Sequence, residues 1–285
     1  MKEISGDSLI KMYEVLNKEL VGNVGVKIST GEAGNPNYLN PDLIKKLISK
    51  LNGTIIECNT AYAGKRNTTE EHLKTIEAHG FNKIAKVDIM DDDGEMVLPV
   101  DKGIHLKENY VGKNLQNYDS ILMLSHFKGH PMGGFGGALK NMSIGIASSS
   151  GKAFIHTAGK SKDVSTLWQN TAPQNDFLES MADSDKSVID YMKGNIVYIN
   201  VINNLSVDCD CVASPEKVHM KDIGIASSLD PVALDRACVD MIYNSNDSRK
   251  VHLIKRIEEQ NGTHILEACE KLKIGTSNYE LINVD

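Results

Sequence analysis

Two histidines, two lysines and five glycines fall within fifteen residues, His126-Phe-Lys-Gly-His-Pro-Met-Gly-Gly-Phe-Gly-Gly-Ala-Leu-Lys140. Imidazole changes charge near neutral pH, so His126 and His130 are the acid–base candidates, and Lys140 joins them as a catalytic candidate. Lys128, the backbone at Gly133, Gly134, Gly136 and Gly137, and Asn141 just beyond suit a bound anion. Glycine lets the chain turn through positive φ and lets a ligand approach the backbone closely. The stretch then enters a helix, whose first amides are expected to be free to bind negative charge. The bland alternative is a glycine-rich connection with incidental charges. The density of imidazole and ammonium groups favours the chemical reading. It is not a Walker A loop, because the Gly-Lys-Ser/Thr ending is missing. Gly-Gly-Phe-Gly-Gly also lacks the Gly-x-Gly-x-x-Gly spacing of dinucleotide sites.

Other segments offer complementary groups. Asn59, Tyr62 and Arg66 follow an apolar run, and Arg66 is the best single candidate to grip a carboxylate or phosphate. Glu32, Asn35 and Asn37 follow an earlier run and could reach the same cleft. Ser150-Gly-Lys152 puts another cation near His156. In Asp208-Cys-Asp-Cys211 two carboxylates and two thiols could bind a transition metal of the soft kind, with Cys209 and Cys211 as candidate ligands and His156 or His219 able to supply another. The alternative is that these cysteines are small buried hydrophobes. A disulfide between them is not expected, because that spacing is strained in extended chain. Asp230-Pro231 reads as a helix start, with Asp235 one turn further and able to point into a site. Asp91-Asp-Asp93 reads as a solvated turn. Cys58, Cys238 and Cys269 read as core.

The totals narrow the classes. At 285 residues there is room for one large domain or two. A net charge of −7 argues against a general nucleic-acid binder. No stretch approaches the ~18–20 apolar residues that span a bilayer, and the first residues lack an apolar signal core, so no membrane partner and a cytoplasmic location are expected. Five scattered cysteines do not supply four clustered thiolates, so no ordinary iron–sulfur cluster is expected.

These groups must be positioned by alternating elements. A helix with Leu9, Met12, Tyr13, Leu16 and Leu20 on one face opens the chain. Strands follow at 23–29, 54–59 and 84–89, separated by helices that start at Asn40-Pro41 and at Thr68, the second ending at Gly80. A hairpin is expected over 91–107 and a buried strand over 119–125, whose carboxyl end carries the glycine-rich loop. A helix over 138–147, an irregular excursion over 151–175, a helix over 177–192, strands at 195–202 and 223–227 and a helix from Asp230 to Tyr243 come next. Two more helices and a terminal strand at 279–284 complete the pattern. The fold class is α/β: a mainly parallel sheet flanked by helices. We expect one unit over 1–285 with two Rossmann-like lobes, 1–125 and 126–285, and a cleft between them.

Lys27 to Pro36, Asn59 to Arg66, Ser125 to Ala147, Ser150-Gly-Lys152, Asp208 to Cys211, Ile223 to Asp235 and Tyr279-Glu-Leu-Ile282 together resemble the family called domain of unknown function 362. Many of its members carry a ferredoxin-like insert with eight cysteines after the Ser-Gly-Lys segment. This chain has no cysteine over 160–175, so the iron–sulfur label does not transfer. More distantly, His130-x9-Lys140-x15-His156 is similar to the core of nickel-pincer lactate racemases. That resemblance implies proton or hydride-linked chemistry at His130, a cofactor tethered at Lys140 and a metal ligand at His156. The family's Gly-Arg-Lys is Ala138-Leu139-Lys140 here, without the arginine. The expected function is an enzyme-like protein binding a small anionic ligand, or a metal-containing cofactor, around the His126–Lys140 segment. The alternative is a non-catalytic accessory module for redox or metallocofactor partner proteins.

Overall fold

The computed structural model describes residues 1–285. The chain opens with α1 (Gly6–Glu14), β1 (Val24–Lys27), α2 (Pro41–Leu51), β2 (Thr54–Glu57), α3 (Thr69–His79) and β3 (Val87–Ile89). An antiparallel hairpin, β4 (Glu95–Pro99) and β5 (Glu108–Gly112), interrupts the alternation. Next come β6 (Ser120–His126), a short hairpin of β7 (Lys128–His130) and β8 (Gly134–Gly136), α4 (Ala138–Ile146), α5 (Ser149–His156) and α6 (Gln174–Met192). The chain continues through β9 (Ile196–Ile202), β10 (Gly224–Ser228), α7 (Pro231–Tyr243), α8 (Val251–Glu259) and α9 (His264–Lys271). No helix is long and apolar enough to cross a membrane.

Six strands form one sheet in the order β10-β9-β6-β1-β2-β3, parallel except for β10. In β6, Ile121 and Met123 join one apolar cluster while Leu122 and Leu124 join the other, as side chains alternating across a strand must. One face is covered by α1, α2 and α3 through Leu9, Ile44 and Ile76. The opposite face is covered by α4, α6, α7 and α9 through Met142, Met181, Val239 and Cys269. This is the mainly parallel, helix-flanked α/β sheet expected from the sequence.

The division into two lobes is not what the sheet does. β6 and β9 lie on opposite sides of the expected 125/126 boundary, yet they pair over six residues. The chain builds β1, β2 and β3 toward one edge, then returns to place β6 on the other side of β1. The strand order therefore reverses between β1 and β6, and a crevice at such a switch point is where open α/β sheets bind ligands.

Local chemistry sets most element ends. Asn40 caps α2 through the Asp42 amide at 2.8 Å with Pro41 in the first turn. Gly80 stops α3 at φ 85°. Asp230 caps α7, accepting from the Val232 and Ala233 amides at 2.8 and 3.0 Å. Three expectations fail. Residues 279–284 form no strand. The glycine-rich loop is itself a hairpin, β7–β8. The excursion begins as a helix, α5, capped by the Ser148 hydroxyl on the Gly151 amide at 3.0 Å. Gly151 lets α5 sit directly on β5, because a Cβ there would lie 1.9 Å from the Tyr110 carbonyl oxygen. Gly151→Ala is expected to destabilise the protein by about 1–3 kcal/mol, the usual range for overpacking, as read by urea unfolding.

Candidate functional site

At the switch point a cavity of about 250 Å³ opens between the carboxyl ends of β1, β2 and β6. Asn141 on α4 ties these ends together. Its Nδ2 donates to the Lys27 carbonyl oxygen at 3.0 Å and to the Ser125 hydroxyl at 3.1 Å, and its Oδ1 accepts from Lys27 Nζ at 3.0 Å. Cations dominate the lining: Lys27, Arg66, Lys128, Lys140 and Lys152, against the single carboxylate of Glu57.

Four of the five cations are held by the protein. Lys128 Nζ donates to Asp210 Oδ2 at 2.8 Å and Lys152 Nζ to the Ala147 carbonyl oxygen at 2.6 Å. Arg66 donates to the Tyr62 hydroxyl at 3.0 Å and lies 3.6 Å from both Glu32 and Glu57. Lys27 lies 3.8 Å from Glu57, and burial pulls its ammonium down to about 8. Lys140 is the exception, with no hydrogen-bond or ion-pair partner. Burial, together with the fields of Lys128, Lys27 and Lys152, lowers it to about 7. A lysine of this kind is part ammonium and part free amine at neutral pH, able to hold an anion or to act as base or nucleophile.

The two flanking histidines are locked in opposite tautomers. His130 Nδ1 accepts from the Met132 and Gly133 amides at 3.1 and 2.9 Å, so its proton resides on Nε2. His156 Nδ1 donates to the Lys152 carbonyl oxygen at 2.7 Å, which leaves its Nε2 bearing the lone pair. Its ring stacks on Phe177 with centroids 4.6 Å apart. Burial holds both imidazoles neutral: His156 falls to about 4, and His130 falls well below its usual value with help from Lys140 and Lys128. The cavity thus offers a fixed N–H donor at one imidazole and a fixed acceptor at the other.

Several expectations change on this geometry. His126 lines the cavity, but its Nδ1 donates to Asp210 Oδ1 at 2.9 Å and its Nε2 lies 2.7 Å from the Asn203 carbonyl oxygen. With both nitrogens engaged it positions Asp210 and is not a free acid or base. Asn59 does not reach the cavity. Its amide donates to Thr69 at 3.0 Å and its Oδ1 lies 3.2 Å from His72 Nδ1. Gly136 and Gly137 line the cavity, whereas Gly133 and Gly134 do not. Gly134, at φ 77°, packs its backbone against Gly262. The first amides of α4 are not open to an anion. Asp235 takes the amides of Ala138 and Leu139 at 2.8 and 3.0 Å, so it caps that helix from α7 and does not face the site.

The cysteine pair differs most. Cys209 and Cys211 form a disulfide with Cα atoms 5.2 Å apart. The chain there is not extended, as the sequence reading assumed. Val212 N–H donates to the Cys209 carbonyl oxygen at 3.0 Å, and this turn brings the two sulfurs together in the cavity wall. Asn35 braces the turn from behind, donating to the Val212 carbonyl oxygen at 2.7 Å, while the Glu32 amide donates to the Asp210 carbonyl oxygen at 2.7 Å. The ligand atoms of His130, Cys209 and Cys211 all lie within 4.8 Å of one another, so His130, not His156, is the histidine grouped with the cysteines.

Lys27 and Glu57 were not among the expected site residues, and Asp210 was weighed only as a carboxylate beside the cysteines. Asp210 is buried between the two cysteines. His126 and Lys128 overcome the effect of that burial and hold its carboxyl well below the usual range. Glu57 is held low in the same way by Lys27, His72 and Arg66. The signal was present in the sequence. A charged residue closing an otherwise apolar strand, as in Val-Gly-Val-Lys27 and Thr-Ile-Ile-Glu57, belongs to the edge where ligands bind.

The family described as a domain of unknown function, DUF362, matches residues 24–240. This chain belongs to that family. No curated protein matches it. Among solved structures, the lactate racemase apoprotein from Thermoanaerobacterium thermosaccharolyticum superimposes with a TM-score of 0.49 at 14% identity, over 85% of this chain and 56% of that one. A Thermotoga maritima protein solved by structural genomics gives a TM-score of 0.46 at 12% identity, over 93% of this chain and 58% of that one. This DUF362 chain therefore spans little more than half the length of either protein.

Proposed function

We propose that this DUF362 protein is an enzyme that binds a small carboxylate in the lysine-lined cavity and moves a proton on it between His130 and His156. The opposed tautomers of the two imidazoles carry this reading. One is a ready donor and the other a ready acceptor, and both stay neutral at working pH. Lys140, the cation with no protein partner, takes the carboxylate. Lys128, Lys152 and Arg66 surround it with positive potential but keep their own protein contacts. The test is solvent exchange. Small 2-hydroxy and 2-oxo acids incubated with the protein in D2O are expected to acquire deuterium at the carbon next to the carboxylate, read by proton NMR. His130→Gln and His156→Gln should each slow that exchange by about 10²–10⁴-fold, the usual range for losing a positioned acid or base. Exchange unchanged in both variants rejects the proposal.

The resemblance to nickel-pincer racemases implies a metal-bearing group at Lys140 and His156. The donor chemistry at His156 fits. Its Nδ1–H is fixed on a carbonyl oxygen, as in ligating histidines, and Nε2 is left for the metal. When bound, such a group would supply a hydride acceptor. The position of the Cys209–Cys211 pair favours a second reading, a carrier module. With the disulfide reduced, both thiolates and a neighbouring imidazole would take a soft metal for a partner protein. Metal analysis of protein purified anaerobically with reductant, run beside the exchange assay, separates the two: a carrier retains metal and performs no exchange, whereas the enzyme performs exchange with or without metal at the cysteines.

A further inference from the structure

Away from the cavity, three distant segments place four donor side chains together. Asp176 and Glu179 share one face of α6, three residues apart. His105 reaches them from the β4–β5 connection and His264 from the start of α9. His105 Nε2 lies 2.7 Å from Glu179 Oε2, and His264 Nε2 lies 3.0 Å from Glu179 Oε1. The ligand atoms of His105, Asp176 and Glu179 fall within 4.8 Å of one another. We infer that these four residues form a zinc site that staples the β4–β5 connection and α9 onto α6.

The surroundings are those of a held site. One turn along α6, the buried carboxylate of Asp183 accepts the consecutive amides of Ile104, His105 and Leu106, each at 2.7 Å. That fixes the backbone carrying His105 over the face that carries Glu179. His264 Nδ1 lies 3.3 Å from Glu267, the carboxylate–histidine arrangement that orients a ligating imidazole, and its Nε2, which rests on Glu179, would turn to the metal. Two imidazoles and carboxylate oxygen suit a borderline cation. Donors each ~2.1 Å from zinc in tetrahedral geometry sit about 3.4 Å apart; the two imidazole contacts to Glu179 fall within that spacing, and His264, which meets only Glu179 of the other three, must swing inward to complete the site. The side chains of His105, Glu179 and His264 are 25%, 17% and 13% exposed, which leaves an entry path. Convergence of two imidazoles, with a second carboxylate alongside, favours the metal.

The test uses full-length protein without reductant, so that Cys209 and Cys211 stay paired and take no zinc. Titration with Zn2+ against a competing chelator is expected to give one saturable site and a rise in melting temperature. His105→Ala and His264→Ala should each weaken binding by more than about 100-fold, beyond the effect of losing an outer-shell partner. The double variant Cys209→Ser, Cys211→Ser should bind as the parent does. Both histidines are partly exposed, and circular dichroism checks that the variants fold. Binding that survives both histidine changes, or that disappears with the cysteines, overturns the assignment. So does the absence of any saturable site in the folded parent.

Discussion

Lys140→Met is expected to abolish carboxylate binding and, with it, the pH dependence of that binding. In the parent, the Lys140 ammonium loses its proton near pH 7, because burial and three neighbouring cations disfavour the charged form. A bound carboxylate needs that charge, so affinity is highest below about 7 and falls roughly tenfold per pH unit above it. Removing the charge from a desolvated pair costs about 2–5 kcal/mol, which takes a micromolar ligand out of the measurable range. Calorimetric titration with a small carboxylate at pH 6 and pH 9 reads both effects. Measurable affinity in Lys140→Met, with the parent's pH slope, would assign the anion to Lys128 or Lys152 instead. Lys140→Arg should keep a carboxylate bound and flatten the pH profile, because guanidinium stays charged throughout.

Asp210→Ala is expected to cost about 3–5 kcal/mol of stability, because it leaves the buried Lys128 ammonium without its partner and removes the acceptor that fixes His126. Urea unfolding at pH 7 measures it. The sign with pH follows from the direction of the shift. The folded carboxyl sits below its unfolded value near 4, so its contribution is full above about pH 4 and is lost as the pH falls further. Parent and variant should therefore converge in stability on acidification. A constant gap down to pH 2 would place the effect in packing and not in the charge.

The sequence was most informative where local chemistry decides structure. Asn40-Pro41, Thr68, Gly80 and Asp230-Pro231 mark helix ends through caps that need nothing distant. The buried β6 and β9 strands announce themselves as unbroken apolar runs, and the cluster around His130 and Lys140 is dense enough to locate the site. The misses are long-range. Asp235 reads as a possible site residue on its own helix, yet it is spent on the amides of α4, 97 residues away. Nothing near His126 in sequence says that Asp210 will occupy its Nδ1. The Cys209–Cys211 pairing sits on a turn that Asn35, far away in the sequence, braces. Helix α5 escapes a periodicity reading because it is short and begins with Ser-Ser-Gly, residues with little intrinsic helical preference. The order of strands in the sheet was not legible, because it is a tertiary property and alternation of elements leaves it open.

The brace between Asn35 and the turn at 209–212 bears on how the protein folds. The two partners are 177 residues apart, so this wall of the cavity cannot close until nearly the whole chain has collapsed around the sheet. Contacts of such separation form late, since the entropy of closing the loop must be met first. A partly folded chain would hold β1, β2 and β6 in register and still have no pocket. Ligand capture would then report complete folding, and a carboxylate present during synthesis would act as a selective stabiliser of finished molecules.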